Sequence, residues 1–516
     1  MSSNVTKPGT VYIVGAGPGD SGLITVRGVE ALRRADLVVY DYLVNPELLD
    51  LCPPSCERIY VGKMAGQHSL PQEEINRLLA ERALKGETVV RLKGGDPFIF
   101  GRGGEEALEL VRCGVPFVVV PGITAAISAA AYAGIPLTHR GMASSAVLVT
   151  GHEDPSKEEG DVNWEGLAAG AETLAVYMGV KNLPVIVERL LRGGRAGDTP
   201  AALIRWGTLD LQQTLTGTLL DIAARAEEHG FGPPAILLVG EVVRLRERLR
   251  WFDVRPLFGR TIVVTRSRSQ ASDLARGLRE LGAEVREFPS IDIQPLPDLR
   301  ELDRALGEIR SFAWIVFTSV NGVEIFFREL GRVGLDSRAL FGVRVAAIGS
   351  QTAALLERHG VRPDLVPERF TSEAVLHAFC GLSSDYRDQR FLFPGSEIAR
   401  DLLPEGLERM GARAVRVPVY RNLVPRHSPE EVDGIFAERI DLVTFTSSST
   451  VTHLVEILRA AGRESCLERI RCACIGPVTA ETAREHGIEV VLESTPHTVE
   501  GLIRAIEHHF GNEAKR

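Results

Sequence analysis

Short apolar runs alternate with amphipathic stretches along the whole chain. Val11-Tyr12-Ile13-Val14 is followed by glycines and an amphipathic run over 23–34, and Asp36-Leu37-Val38-Val39-Tyr40 is apolar again. Runs of this length, bounded by turn residues, predict buried strands. Their alternation with helical stretches predicts an α/β fold with helices packed on sheets. Near 251–260 the pattern breaks. A charged, helix-prone segment (241–249) gives way to Pro256 and Gly259, and a fresh strand begins at Thr261-Ile262-Val263-Val264. Beyond that boundary the pattern repeats. Ile315-Val316-Phe317-Thr318-Ser319 reappears as Val443-Thr444-Phe445-Thr446-Ser447, about 128 positions on. Phe288-Pro289 has its echo in Val417-Pro418, and Ile348-Gly349-Ser350 in Ile475-Gly476-Pro477. Two similar α/β units with a cleft between them are expected, joined by polar, proline-bearing crossings at 293–299 and 422–429.

The chain has 516 residues, 44% hydrophobic and 25% charged, enough for two to four globular domains. Its net charge of −9 argues against non-specific binding to nucleic acid or an anionic membrane. The seven cysteines lack paired zinc spacing and read as free thiols of a reducing compartment. The N-terminus shows no signal-peptide core, and no apolar run reaches membrane-spanning length, so a cytoplasmic location is expected.

The chemistry concentrates at 91–106, where Arg91-Leu92-Lys93-Gly94-Gly95-Asp96-Pro97 runs on to Gly101-Arg102-Gly103-Gly104-Glu105-Glu106. Glycine at this density lets backbone come close to a flat or charged ligand. Gly15-Ala16-Gly17-Pro18-Gly19-Asp20 follows the first strand like a dinucleotide fingerprint, with Asp41 after the next strand. The third glycine comes one position early and Pro18 stands where the helix should start, so an NAD reading stays open on this feature alone. Further on come Pro121-Gly122-Ile123-Thr124-Ala125-Ala126, Gly134-Ile135-Pro136, Tyr177-Met178-Gly179 and Trp206-Gly207-Thr208.

In this order, over about 10–252, these motifs resemble the tetrapyrrole methylase family, and within it the uroporphyrinogen-III C-methyltransferases. The resemblance implies two α/β subdomains holding S-adenosylmethionine between them, and argues against the NAD reading. It implies cofactor contacts from Pro18, Gly94, Gly95, Asp96, Ile99, Thr124, Ala125, Met178 and Gly207. It implies Asp41 as proton acceptor and Lys63 as proton donor, and a homodimer formed through this half. Arg91, Lys93, Arg102 and Arg140 are candidates for the substrate's carboxylates, with surface ion pairs as the alternative.

The second half, about 258–512, resembles uroporphyrinogen-III synthase through Phe-Thr-Ser (317–319 and 445–447), Val-Pro-Val-Tyr-Arg (417–421), Ile-Gly-Pro-Val-Thr-Ala (475–480) and Thr-Val-Glu-Gly-Leu (498–502). The resemblance implies one discontinuous domain (258–291 plus 424–512) and one inserted (293–421). It implies cofactor-free cyclisation of hydroxymethylbilane with inversion of the last pyrrole, and Tyr420 as a group assisting departure of the hydroxyl. Thr318, Ser319, Thr352, Thr446, Ser447 and Thr479, at turns entering helices, are candidate carboxylate contacts. Together the halves imply synthesis of uroporphyrinogen III followed by two methylations to precorrin-2. Neither metal nor NAD is expected. The alternative is a second half that binds or regulates without catalysis.

Overall fold

The computed structural model describes residues 7–62, 70–152, 162–266, 268–367, 372–383, 385–398, 402–437 and 439–513. Among the described residues there are four five-stranded sheets and two compact units, one running up to 260 and taking in 279–284, the other made of 261–278 with 285–513.

In the first unit, strands β1 (Val11–Gly15), β2 (Leu37–Tyr40), β3 (Glu57–Tyr60), β4 (Val89–Lys93) and β5 (Phe117–Val120) form a parallel sheet in the order β3-β2-β4-β1-β5. β1 is a near-continuous apolar run, and β4 is buried along its whole length although it carries Arg91 and Lys93, because both strands are central in the sheet. The order sets the carboxyl ends of β4, β1 and β5 side by side, the place where parallel α/β sheets bind ligands. A second sheet is built from β6 (Ala146–Thr150), β7 (Thr173–Tyr177), β8 (Pro200–Arg205), β9 (Gln213–Thr218) and β10 (Ala235–Val239), in the order β6-β7-β10-β8-β9. β10 runs antiparallel to both neighbours, so β7 and β8 end on the same edge. The helix after β5, Ala125–Tyr132, joins the two layers: Ala126, Ala129 and Ala130 pack with Ala175, Ala202 and Ile236 of the second sheet. Alanine on that face allows close approach.

The second unit contains β11 (Thr261–Val264), β12 (Glu284–Glu287), β13 (Asp292–Pro295), β14 (Trp314–Phe317), β15 (Arg344–Ala347), β16 (Arg390–Ser396), β17 (Arg413–Leu423), β18 (Leu442–Phe445), β19 (Arg471–Cys474) and β20 (Glu489–Glu493). One sheet runs β12-β11-β18-β19-β20 and the other β13-β17-β16-β14-β15. The cores β12-β11-β18-β19 and β17-β16-β14-β15 are the same arrangement, so the sequence repeat is a structural one. It is crossed: β11 and β12, from the first copy, complete a sheet with β18 and β19 from the second. The expected crossing at 293–299 begins instead as an edge strand, since β13 pairs antiparallel with the end of β17 from Asp292↔Leu423 to Pro295↔Tyr420. Likewise Asn422 and Leu423 still belong to β17. Among the described residues no helix is long and apolar enough to cross a membrane, and the seven cysteines are free.

Candidate active site

Gly15, Gly95 and Gly122 bring the ends of β1, β4 and β5 into backbone contact. A methyl on Gly122 would lie 2.2 Å from the Gly95 carbonyl oxygen and 2.8 Å from the Gly15 Cα. Gly17 and Gly95, both at positive φ, exchange hydrogen bonds: the Gly95 N–H donates to the Gly17 carbonyl (2.7 Å) and the Gly17 N–H to the Gly95 carbonyl (3.2 Å). Asp96 ties the loops together, its Oδ2 accepting the Gly122 N–H (3.0 Å) and its Oδ1 the Phe98 N–H (2.8 Å). Gly94 makes room for the loop after β2, since a Cβ there would meet that of Leu43 at 2.6 Å. Pro18 is half-buried beside these loops.

The second sheet closes on this edge. Thr124 stands at the N-cap position of the helix Ala125–Tyr132 without a side-chain capping bond; its Oγ1 lies 2.6 Å from the Tyr177 hydroxyl, which accepts the Ala126 N–H (3.0 Å). Burial raises the Tyr177 pKa, so the group stays protonated. Gly207 sits against Ala129, where a Cβ would meet the alanine methyl at 2.6 Å. Thr208 Oγ1 accepts the Asp20 N–H (3.0 Å), joining the loop after β8 to the loop after β1. Among the described residues, six non-glycines hold positive φ, and five cluster here: Phe100, Arg102, Met178, Trp206 and Thr208. Each such conformation costs about 1–3 kcal/mol and marks sites where strain serves function. The same loops expose Tyr42, Leu43, Phe98, Ile99, Phe100 and Met178, each more than a third accessible. The Phe100 and Tyr177 rings stand 4.9 Å apart, and Tyr42 and Trp206 6.0 Å. Apolar surface concentrated at strained strand ends is of the kind that interaction sites and ligand grooves show.

Beneath it lies a charged network. Glu106, fully buried, accepts through Oε1 from Lys93 Nζ (2.9 Å), Arg91 Nε (3.0 Å) and Gln72 Nε2 (3.2 Å). Arg91 also donates through Nη2 to Asp41 Oδ2 (3.3 Å) and through Nη1 to the Val39 and Leu92 carbonyls. Burial, with Arg91 alongside, pushes the Lys93 pKa down, and Glu106 opposes that shift. Arg91 and Lys93 are therefore 3% and 4% exposed, with the protein's own Glu106 as their carboxylate, rather than presented to a ligand. Arg102 pairs with Glu105 on the surface (2.7 Å), and Arg140 is exposed. Asp41 remains about a quarter exposed at the end of β2. Lys63 lies outside the described residues.

In the second unit the hydroxyl turns divide between the sheets. Thr318 and Ser319 follow β14, and Thr352 is buried in the helix Ser350–Arg358 after β15. Thr446 and Ser447 follow β18, and Thr479 is buried at the start of the helix Pro477–Glu485 after β19. Ser319 and Ser447 are N-caps, Ser319 accepting the Gly322 N–H (3.1 Å) and Ser447 the Thr450 N–H (3.3 Å). Tyr420, 6% exposed, donates its hydroxyl to Ser319 Oγ at 3.0 Å.

Two family models match in the same order as the two folds. The tetrapyrrole (corrin/porphyrin) methylases match residues 10–223, and uroporphyrinogen-III synthase HemD matches 272–504. A porphyrin biosynthesis protein HemD of Ruminiclostridium josui is 39% identical over 509 residues, covering 98% of this chain and 99% of that protein. The chain belongs to this family of fused porphyrin-biosynthesis enzymes. A uroporphyrinogen-III C-methyltransferase of Bacillus subtilis is 42% identical over 365 residues, 70% of this chain and 74% of the relative. The crystal structure of a Thermus thermophilus uroporphyrin-III C-methyltransferase with S-adenosylhomocysteine is 40% identical, covering 46% of this chain and all of that one, at a TM-score of 0.40.

In the methylase half the structure thus gathers Pro18, Gly94, Gly95, Asp96, Ile99, Thr124, Ala125, Met178 and Gly207 around one set of strand ends. Glu106, Tyr177, Trp206 and Thr208 join them without having been singled out for a role from sequence. Tyr177, Trp206 and Thr208 stood inside quoted motifs, but nothing in their residue types signals a left-handed turn or a buried hydroxyl.

Proposed function

We propose that the synthase half converts hydroxymethylbilane to uroporphyrinogen III and the methylase half adds two methyl groups from S-adenosylmethionine, giving precorrin-2. The proposed regions are 10–252 and 258–512, with the methylase half as the dimerising part. The observation that carries the methylase reading is the three-glycine contact at Gly15, Gly95 and Gly122, with Asp96 locking it and an exposed apolar rim around it. This surface suits a ligand with a flat aromatic part and a polar zwitterionic part, because glycine loops offer bare carbonyls and N–H groups and the rim offers rings. A phosphate cradle at a helix N-terminus is not needed, and the match to methylases favours the sulfonium donor over NAD.

S-Adenosylmethionine supplies an electrophilic methyl group when bound. The chain's own residues do the rest. The glycine loops, Thr124, Ala125, Met178 and Gly207 hold and orient the donor. The apolar rim excludes water from the transfer. Asp41, steadied by Arg91 and still reachable, takes up the proton released at the methylated pyrrole carbon, with Lys63 as the donor partner. In the synthase half, the turns carrying Thr318, Thr352, Thr446, Ser447 and Thr479 bind the substrate's carboxylates, and Tyr420, bonded to Ser319, belongs to the group that assists hydroxyl departure.

The test supplies uroporphyrinogen III and S-adenosylmethionine anaerobically to the full chain and to Asp41→Asn. The reading expects a doubly methylated product from the first, and from the second unchanged donor binding with turnover lowered about 10²-fold or more. Turnover retained in Asp41→Asn would overturn the assignment of the proton acceptor.

A further inference from the structure

We propose that Ser319 hands the proton to the departing hydroxyl of the linear substrate, with Tyr420 behind it as the source rather than the contact. The proposal rests on the synthase reading. Tyr420 is held too firmly to reach out. Its strand is paired on both sides, with Pro295 of β13 and Ser396 of β16, and its carbonyl accepts the Glu397 N–H at 2.8 Å. The register shifts between Gly395 and Ser396, an irregularity of the kind that aims side chains near active sites. The ring belongs to the core cluster with Phe317 and Val419. The hydroxyl is spent on Ser319 Oγ at 3.0 Å.

Ser319 is differently placed. It is half-buried, beside the exposed Thr318. A serine hydroxyl has two acceptor lone pairs and one hydrogen. Both lone pairs of Ser319 are engaged, one by the Gly322 N–H (3.1 Å) and one by Tyr420. Its own hydrogen is left to donate outward.

The repeat supplies an internal comparison. Ser447 occupies the place of Ser319 in the other sheet and likewise accepts the N–H three residues on, with Thr450 Oγ1 accepting the Ser447 N–H in return. By the alignment of Pro289 with Pro418, the position of Tyr420 is taken there by Ile291. Capping a helix therefore needs no tyrosine. The hydroxyl pair is an addition made in one copy.

The step balances as follows. The C–O bond of the hydroxymethyl group breaks with its electron pair going to oxygen. That oxygen takes the Ser319 hydrogen and leaves as water, while Ser319 takes the Tyr420 hydrogen. The pyrrole nitrogen lone pair stabilises the carbon cation. The last pyrrole attacks that cation through its already substituted α-carbon. The bond from this carbon to its original methylene breaks with the electron pair returning to the pyrrole, and the free α-carbon then bonds to that methylene. The proton lost there as the ring regains aromaticity returns through Ser319 to Tyr420.

The test uses the full chain with hydroxymethylbilane and reads type III macrocycle by isomer-resolved chromatography. Ser319→Gly removes the hydroxyl while costing the helix cap little, and Ser319→Thr keeps it. The proposal expects Ser319→Gly and Tyr420→Phe each to lower kcat about 10²-fold with KM within twofold. It expects the double variant to be no worse than either, and Ser319→Thr to restore most of kcat. Wild-type kcat in Ser319→Gly would overturn the relay. So would a raised KM at unchanged kcat, the signature of a carboxylate contact. Type I macrocycle alone from the unaltered chain would overturn the synthase reading itself.

Discussion

Glu105 and Glu106 are neighbours in sequence and opposites in surroundings. Glu105 meets Arg102 in solvent, whereas Glu106 is sealed with Arg91, Lys93 and Gln72. Composition marked the segment as chemical, but burial separates the two carboxylates, and burial depends on which face of the helix Gly103–Arg112 meets β4. For the same reason Arg91 and Lys93 read from sequence as possible ligands for substrate carboxylates, while the fold gives them an internal one. Removing one member of a buried ion cluster strands the others. Glu106→Gln is therefore expected to lose about 3–5 kcal/mol, measured by urea unfolding; a loss below about 1 kcal/mol would show that the cations find other partners. The thiols divide in the same manner. Burial and nearby Cys56 push the Cys52 pKa up to about 12, while Cys380 is exposed. Because the folded value lies above the ordinary 9.0, the contribution of Cys52 to stability is full below about pH 9 and is lost as pH rises toward about 12. A maleimide reagent at pH 8 should modify Cys380 first and leave Cys52 unmodified, and Cys380→Ser should abolish the fast phase.

At the scale of elements, the glycine loops were the legible part, because a backbone that approaches another backbone admits no side chain, and the sequence shows this directly. Gly122→Ala would drive a methyl to 2.2 Å from the Gly95 carbonyl, whereas a Cβ on Gly104 meets nothing within 4 Å. The account predicts that Gly122→Ala abolishes methyl-donor binding by calorimetry. Gly104→Ala, inside a helix, should bind normally and gain about 0.4–1 kcal/mol in stability. Equal binding by the two variants would remove the three-glycine contact from the site. The left-handed turns at Met178, Trp206 and Thr208 were illegible because nothing in a methionine, tryptophan or threonine announces positive φ. The strand β13 was read as a linker for its prolines. It is an edge strand, where a missing N–H costs nothing on the open side.

At the scale of the molecule, the repeat visible in the sequence predicted two like sheets, and the fold has them. The units of repetition and the units of structure nevertheless differ, because β11, with β12 on its outer side, pairs with β18 rather than with β14. Pairing partners so far apart cannot be read from local pattern, since any strand of the right period could fill the place. The crossing makes the sheet containing β11 depend on chain that lies beyond 441, so a chain ended at 423 should leave β11 and β12 as a two-stranded fragment without β18, and lose type III product. The central claim is that one polypeptide carries out both steps. It is tested most directly by giving the intact chain hydroxymethylbilane anaerobically, with and without S-adenosylmethionine, and identifying products by mass and isomer. The account predicts type III macrocycle without the donor and its doubly methylated form with it. Type I macrocycle in both arms, unmethylated, would contradict it.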